Sequence, residues 1–426
     1  MAPLPGRPAP ETGASGEDCL YLNVTAPASS GPWPVVVWIH GGGFAVGSGA
    51  DVIGDGVGFV QGCGVVLVTV NFRLGAFGFL YPPGAGVDGD ANVGLLDQIA
   101  ALRWVRENIA AFGGDADRIT VMGVSAGAKS IGTLLGMPAA AGLFRRAISM
   151  SGGADTVYEV DDAVTLAERL LAGLERLGWA GGGLRSVPAA DLLEAQGSLA
   201  TGVGATWLWR PVVDGTVLPT PPLAAIAAGS AAGVDLLMGG SRYEARFFAA
   251  LDPGCLEDTV AVIRSAYGDA AEAILTAYGV HRGEGRREAL IDLMSDERYR
   301  IPTIRLAEAQ HTHGDAWLYR FDWISPQLGD LAAGHAAEVS IVFALEESAE
   351  AVLMVEFVRA LWRAFIHDGD PARAVPDWRP YSPPRRQTLL LDLPPRVVDD
   401  PEGERRLVWE GMAAGYPNWP TATLAR

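Results

Sequence analysis

Continuous apolar, β-branched runs open the patterned part of the chain. The stretches "VVVWIH" (Val35–His40) and "VVLVTVNF" (Val65–Phe72) do not alternate as a half-solvated strand would. They read instead as strands buried on both faces of a parallel sheet. Between Leu95 and Gly113 the period changes. Leu95, Ile99, Leu102, Val105 and Ile109 share one helical face, and Gly113–Gly114 ends the helix. "RITVMGV" then predicts a short strand and "AGAKSIGTLLGM" a further helix. Strand, helix, strand, helix in this order predicts an α/β fold, a mostly parallel central sheet with helices on both faces.

Further along, the stretches from Asp161 to Leu208 and from Leu251 to Glu308 are helical in pattern, while Leu236–Gly240 and Ala316–Trp323 read as strands. "VEFVRALWRAFIHDGDP" is an amphipathic helix stopped by Gly369 and Pro371. No repeat and no long linker divides the chain. The expected organisation is a Pro/Gly-rich leader over residues 1–16, then a single domain over residues 17–426. Helical excursions over residues 155–208 and 250–309 are expected to cap one edge of its sheet.

Hydrophobic residues make up 49% of the 426 and charged residues only 19%, which permits a large core. A net charge of −18 argues against nucleic acid or an anionic membrane as partner. No apolar run approaches the ~20 residues of a membrane span. The opening residues have neither a basic n-region nor an apolar h-region, so no secretory signal is read there. Cys19, Cys63 and Cys255 are too few and too scattered for a disulfide framework or a zinc site. These features set the expectation of a cytoplasmic protein without metal or cofactor. Lys129, the only lysine, reads as codon usage rather than function.

The candidate chemistry starts at "ITVMGVSAGAKS", where a strand runs into Gly-x-Ser-x-Gly and then a helix. In that context the serine, Ser125, occupies a turn too tight for most residues, with Gly123 and Gly127 letting strand and helix approach. Ser125 would then project near a helix N-terminus, whose free N–H groups favour negative charge. A plain small-residue turn is the competing reading. At the end of another strand, "HGGGF" (His40–Phe44) carries three glycines in a row. Such a loop can converge backbone N–H groups on an oxyanion, and no Gly-Lys-Ser/Thr follows to make it a phosphate loop. The expected donors are the N–H groups of Gly42, Gly43 and Ala126, with His40 orienting the loop.

Together these segments resemble the type-B carboxylesterase and cholinesterase-like branch of the α/β-hydrolase superfamily. "EDCLYLNV", "WIHGGGF", "VNFRLGAFGFL", "ANVGLLDQIAALRWVRENIAAFGGD", "GLFRRAISMSG" and "RPVVDGTVLP" follow in family order. The resemblance covers most of Glu17 to Asp392. It implies an α/β-hydrolase fold with a helical cap, and a serine nucleophile followed by an acid and a base. The acid is implied in "GGSRYEARFF" at Glu244 and the base in "AAGHAAEVSIVF" at His335. The order Ser125, Glu244, His335 suits the fold. A serine hydroxyl needs a neutral imidazole to take its proton, and a carboxylate fixes the imidazole tautomer.

The other histidines, His281, His311, His313 and His367, have no motif around them and read as structural. Arg242 and Arg246 flank Glu244, so a surface ion pair competes for it. Asp214 and Asp296 read as structural, Glu338 as a group that fixes the histidine loop, and Asp115 with Arg118 as a pair fixing the nucleophile strand. Two departures from the family pattern shape the expected substrate. Val124 stands where the family commonly has Glu, which removes a charge beside the serine and predicts neutral esters rather than choline esters. Val124 and Phe44 are the expected pocket residues. The segment before "EDCLYLNV" is short, which implies a free Cys19 thiol, a wider pocket, and either a monomer or a homodimer. The leading expectation is a serine carboxylic-ester hydrolase acting on a small-molecule ester through an acyl-enzyme. The alternatives are the same site turned to a lyase, cyclase or acyltransferase reaction, or a non-catalytic binding protein.

Overall fold

A computed structural model of the chain describes residues 16–50, 56–82 and 91–412, apart from residues 180, 182, 201 and 347. The leader expected over residues 1–16 falls almost wholly outside the described residues.

The buried runs form the middle of one sheet. Its strands are β1 (Leu22–Thr25), β2 (Trp33–Ile39), β3 (Val66–Val70), β4 (Gly114–Val124), β5 (Arg146–Met150), β6 (Asp235–Gly239), β7 (Ala316–Phe321), β8 (Gln387–Leu391) and β9 (Arg396–Asp399). They lie in the order β1-β3-β2-β4-β5-β6-β7-β8-β9. From β3 to β8 every pairing is parallel, and only the edge strands β1 and β9 run antiparallel. The parallel sheet is the one expected from the order of strands and helices, and its arrangement is the α/β-hydrolase architecture that the family resemblance implies.

Strand periodicity sorts the core into two layers. Val35, Val37 and Ile39 of β2 point into one apolar cluster, while Val36 and Trp38 point into the other. Helix Val93–Asn108 covers the first face with Leu95, Ile99, Leu102 and Val105. It tightens into a 3₁₀ turn at Ile109–Phe112 and ends on Gly113, left-handed at φ 78°, as the glycine pair predicts. Helix Ala349–Asp368 covers the second face with Met354, Val358, Leu361, Trp362 and Phe365.

The stretch after Asp161 contains helices Val160–Arg176 and Ala189–Gly197 and a 3₁₀ turn at Gly202–Trp207. The stretch after Leu251 holds Cys255–Tyr267, Ala271–Ala277, Arg286–Ser295, a π-helical turn at Asp296–Arg300, and Ile301–Gln310. One expectation is corrected. Asp115 and Arg118 do not pair: Asp115 accepts from the N–H of Asp117, and the Arg118 guanidinium donates to the carbonyl of His367. Both groups stand at the mouth of β4, where each finds a nearer backbone partner. Among the described residues, no helix is long and apolar enough to cross a membrane. The three cysteines are free.

Candidate active site

β4 stops at Val124 and the next helix, Ala126–Leu135, starts one residue after Ser125. Ser125 therefore carries the whole turn, at φ 56° and ψ −120°. That conformation is costly for a residue with a Cβ and persists only where its surroundings enforce it. The Ser125 N–H donates to the Met150 carbonyl at 2.9 Å, and the Ser125 carbonyl accepts from the Lys129 N–H at 2.8 Å. The flanking glycines make the closeness possible. A Cβ on Gly127 would stand 2.0 Å from the Ile39 carbonyl oxygen, and one on Gly123 2.7 Å from the same atom. The helix thus begins in contact with the end of β2, which is where the glycine loop departs.

That loop turns back beside the serine. A Cβ on Gly41 would meet the Ser125 Cβ at 3.3 Å. Gly42 and Gly43 have φ of 116° and 64°, and a Cβ on either would lie 1.9 Å from a carbonyl oxygen, of Val46 and Thr206 respectively. Both positions accept glycine alone on sterics. Among the described residues, no backbone carbonyl takes the N–H of Gly42 or Gly43. Ala126 is the first residue of its helix, where an N–H has no intrahelical acceptor. His40 stacks on Phe72 at 4.5 Å and its Nδ1–H donates to the Gly41 carbonyl at 2.8 Å. Burial holds its pKa down to about 4, so the ring is neutral and fixes the loop by this one bond. Phe44, at φ 58°, packs its ring on Phe79, and Val124 is 7% exposed.

Glu244 and His335 come together from loops far apart in sequence. Glu244 Oε2 accepts from His335 Nδ1 at 2.5 Å, and Glu244 is 1% exposed. Its other oxygen, Oε1, accepts from the Ser241 N–H at 2.7 Å and the Ser151 hydroxyl at 2.5 Å. The flanking arginines turn away. Arg242 reaches Asp322, and Arg246 reaches the Ala332 carbonyl and lies over the Tyr243 ring. Backbone bonds tie the two loops, from the Tyr243 N–H to the Ala333 carbonyl and from the His335 N–H to the Glu244 carbonyl. The His335 ring is enclosed by Tyr299 at 4.7 Å, Phe248 at 4.9 Å and Phe247 at 6.1 Å.

Glu338 sits one step behind, accepting from the Ser241 hydroxyl at 2.8 Å. Burial, then the charge of Glu244, pushes its carboxyl up to about 8. The other histidines are engaged elsewhere. His281 faces Glu272, while His311, His313 and His367 contact the carbonyls of Glu308, Ala227 and Cys63. Asp214 accepts from Asn92, and Asp296 from Tyr278 and Arg300. Three contributors were missed from sequence: Ser151, Ser241 and the ring wall around His335. Ser151 carries a faint signal, a serine at a strand end before two glycines. The rings carry none, because their meeting depends on helix packing.

The glycine loop, Ser125, Ser151 and the loops of Glu244 and His335 follow the carboxyl ends of β2, β4, β5, β6 and β7, the end at which parallel α/β sheets bind ligands. Similarity points the same way. The Carboxylesterase family model matches residues 4–409. Para-nitrobenzyl esterase of Bacillus subtilis is 38% identical over 410 residues, 92% of this chain and 82% of that one. Phenmedipham hydrolase of Pseudarthrobacter oxydans is 33% identical over 414 residues, covering 88% of this chain and 80% of its own. Among solved structures, a Geobacillus stearothermophilus carboxylesterase superposes with a TM-score of 0.83 at 35% identity, over 95% of this chain and 88% of its own. The sheet, the segment order and the near-complete coverage lead to one assignment: the chain belongs to the carboxylesterase family and is a carboxylic-ester hydrolase.

Proposed function

We propose that the chain cleaves esters through an acyl-enzyme on Ser125, with His335 as general base and acid and Glu244 as its orienting carboxylate. The observation that carries this reading is the 2.5 Å contact between the buried Glu244 carboxylate and His335 Nδ1. A proton held on Nδ1 leaves Nε2 free to accept one. In the first half-reaction, Nε2 takes the Ser125 hydroxyl proton as Oγ attacks the ester carbonyl carbon. The oxyanion so formed is received by the N–H groups of Gly42, Gly43 and Ala126, each worth about 3–4 kcal/mol of barrier. Collapse breaks the ester C–O bond, and the departing alkoxide takes the proton from Nε2. A water then repeats the sequence on the acyl-enzyme, releasing the acid and restoring Ser125.

Val124 supports a preference for neutral over cationic esters, since the residue preceding the nucleophile is apolar and brings no carboxylate to attract a quaternary ammonium. A panel of p-nitrophenyl esters of rising acyl length, with p-nitrobenzyl esters added on the precedent of the Bacillus subtilis relative, tests the reading. Burst kinetics, fluorophosphonate labelling of Ser125 and loss of both in Ser125→Ala are expected. Folded protein that neither labels at Ser125 nor turns over any ester would sink it.

A further inference from the structure

Arg246 occupies a position that helix electrostatics disfavours. Glu244 is the N-cap of helix Ala245–Leu251, so Arg246 puts a cation in the first turn, where the unpaired N–H groups already carry positive charge. Among the described residues no carboxylate pairs with it. Its guanidinium donates to the Ala332 carbonyl at 3.3 Å and lies 3.9 Å over the Tyr243 ring.

What the side chain holds is the loop of His335. Ala332 is fully buried, and among the described residues its carbonyl accepts from no backbone N–H, so the guanidinium is its donor. A buried carbonyl left without a donor is unfavourable. The loop needs such support. Ala333 and Ala336, on either side of Gly334 and His335, have φ of 51° and 62°. Residues with a Cβ enter that region at a cost and stay there only where their surroundings enforce it. Three bonds do so from the acid side. The Tyr243 N–H donates to the Ala333 carbonyl at 2.9 Å, the His335 N–H donates to the Glu244 carbonyl at 3.3 Å, and Arg246 supplies the third. A Cβ on Gly334 would stand 3.6 Å from the Phe247 nitrogen, so the loop lies against the first turn of the helix. Phe247 and Phe248, next in that helix, pack on the His335 ring at 6.1 Å and 4.9 Å.

We infer that Arg246 is a positioning residue for His335: its guanidinium pins the strained loop, through the Ala332 carbonyl, against the helix that follows Glu244. This rests on the esterase reading and adds to it a residue that acts on the reaction only through the histidine. The Tyr243 ring keeps the guanidinium flat, which gives its donors a fixed direction. With the clamp gone, the Ala332 carbonyl turns toward water and Ala333 relaxes out of the left-handed region. His335 then drifts from Glu244, and the alignment that proton transfer requires is lost.

The test compares Arg246→Met, which removes every donor, with Arg246→Lys, which keeps one cationic donor. Rates on p-nitrophenyl acetate are divided by the sites titrated with fluorophosphonate, so that unfolded protein does not count. In Arg246→Met, kcat per site is expected to fall at least fivefold with KM within threefold of wild type. Arg246→Lys is expected to lie between the two. The acid limb of kcat/KM against pH, which reports the free enzyme's base, supplies an independent sign. The charged groups around His335 are Glu244 in contact, Glu338 behind Ser241, Arg242 and Arg246 on the acid side, and Lys129 across the Tyr299 ring. Drawing His335 away from Glu244 weakens the contact that favours imidazolium, so the limb moves to lower pH. Deleting a nearby cation with the geometry intact would move it to higher pH. A fall of less than fivefold, a loss confined to KM, a lysine variant no better than the methionine one, or a limb that stays or rises overturns the inference and leaves the esterase reading intact. Wild-type protein that neither turns over nor labels defeats both. If Arg246→Met does not fold, Arg246→Lys decides, because lysine lacks the planar fork: kcat and limb both equal to wild type overturn the inference.

Discussion

Replacing Glu244 by Gln asks whether the buried acid sets the histidine tautomer. The change keeps volume and shape, and the structure fixes which way the new amide would point. Two donors, the Ser241 N–H at 2.7 Å and the Ser151 hydroxyl at 2.5 Å, face the Oε1 position. They require an oxygen there, so the NH₂ group must face His335 Nδ1. That nitrogen then becomes an acceptor, its proton moves to Nε2, and the imidazole can no longer receive the Ser125 proton. A tautomer error of this kind costs about 10⁴-fold in kcat. The equivalent barrier is roughly 5 kcal/mol. The assay is steady-state hydrolysis of p-nitrophenyl acetate near neutral pH, beside thermal melts and circular dichroism to show that the variant is folded. A folded Glu244→Gln protein with kcat within tenfold of wild type would refute the assignment of Glu244 as the orienting acid.

Other expectations follow from the same geometry. Gly43→Ala must fit a Cβ 1.9 Å from the Thr206 carbonyl at a φ of 64°. Displacing that N–H is expected to lower kcat about 10²–10³-fold, read from initial rates. Ser151→Ala deletes a buried donor to a carboxylate, an interaction worth about 1.5–3 kcal/mol. It should lower kcat/KM tenfold or more without abolishing fluorophosphonate labelling. Glu338 provides a pH test. Its folded pKa of about 8 exceeds the ordinary 4.5, so between those values the folded protein holds a proton that the unfolded chain has released. Its contribution is complete below pH 4.5 and is lost as pH rises through about 8. Glu338→Gln, neutral throughout, should therefore gain melting temperature relative to wild type between about pH 6 and about pH 9. A difference that stays constant over that range would contradict a protonated Glu338.

What was legible in the sequence divides along physical lines. Local signals carried most of the central strands and the first long helix, because β2, β3 and the Leu95–Ile109 face are buried and announce it by their period; β5, five residues that open on an arginine, was not read as a strand. The outer strands β1, β8 and β9 were missed as strands. β1 and β9 have no fully buried residue, and β8, though buried, is too short for its pattern to stand out. The nucleophile turn and the glycine loop were readable because each needs residues without side chains at fixed places. Glu244 and His335 required the family resemblance, since nothing local distinguishes a buried acid flanked by arginines from an exposed one. The burial of Lys129 was not legible for a related reason. An isolated lysine on a helix is ordinarily solvated, whereas this one is 6% exposed beside the Tyr299 ring.

The two backbone bonds between the loops of Glu244 and His335 hold one half of the site together. Ser125 and the glycine loop belong to the β2–β4 half, joined through Gly127 and Ile39. Glu244 and His335 belong to the β6–β7 half, joined through Tyr243, Ala333 and the Ser241–Glu338 contact. Ser151 couples the two halves: it follows β5, whose Met150 carbonyl accepts from the Ser125 N–H, and its hydroxyl donates to Glu244. A change that displaces Ser151 would therefore be felt on both sides of the site at once.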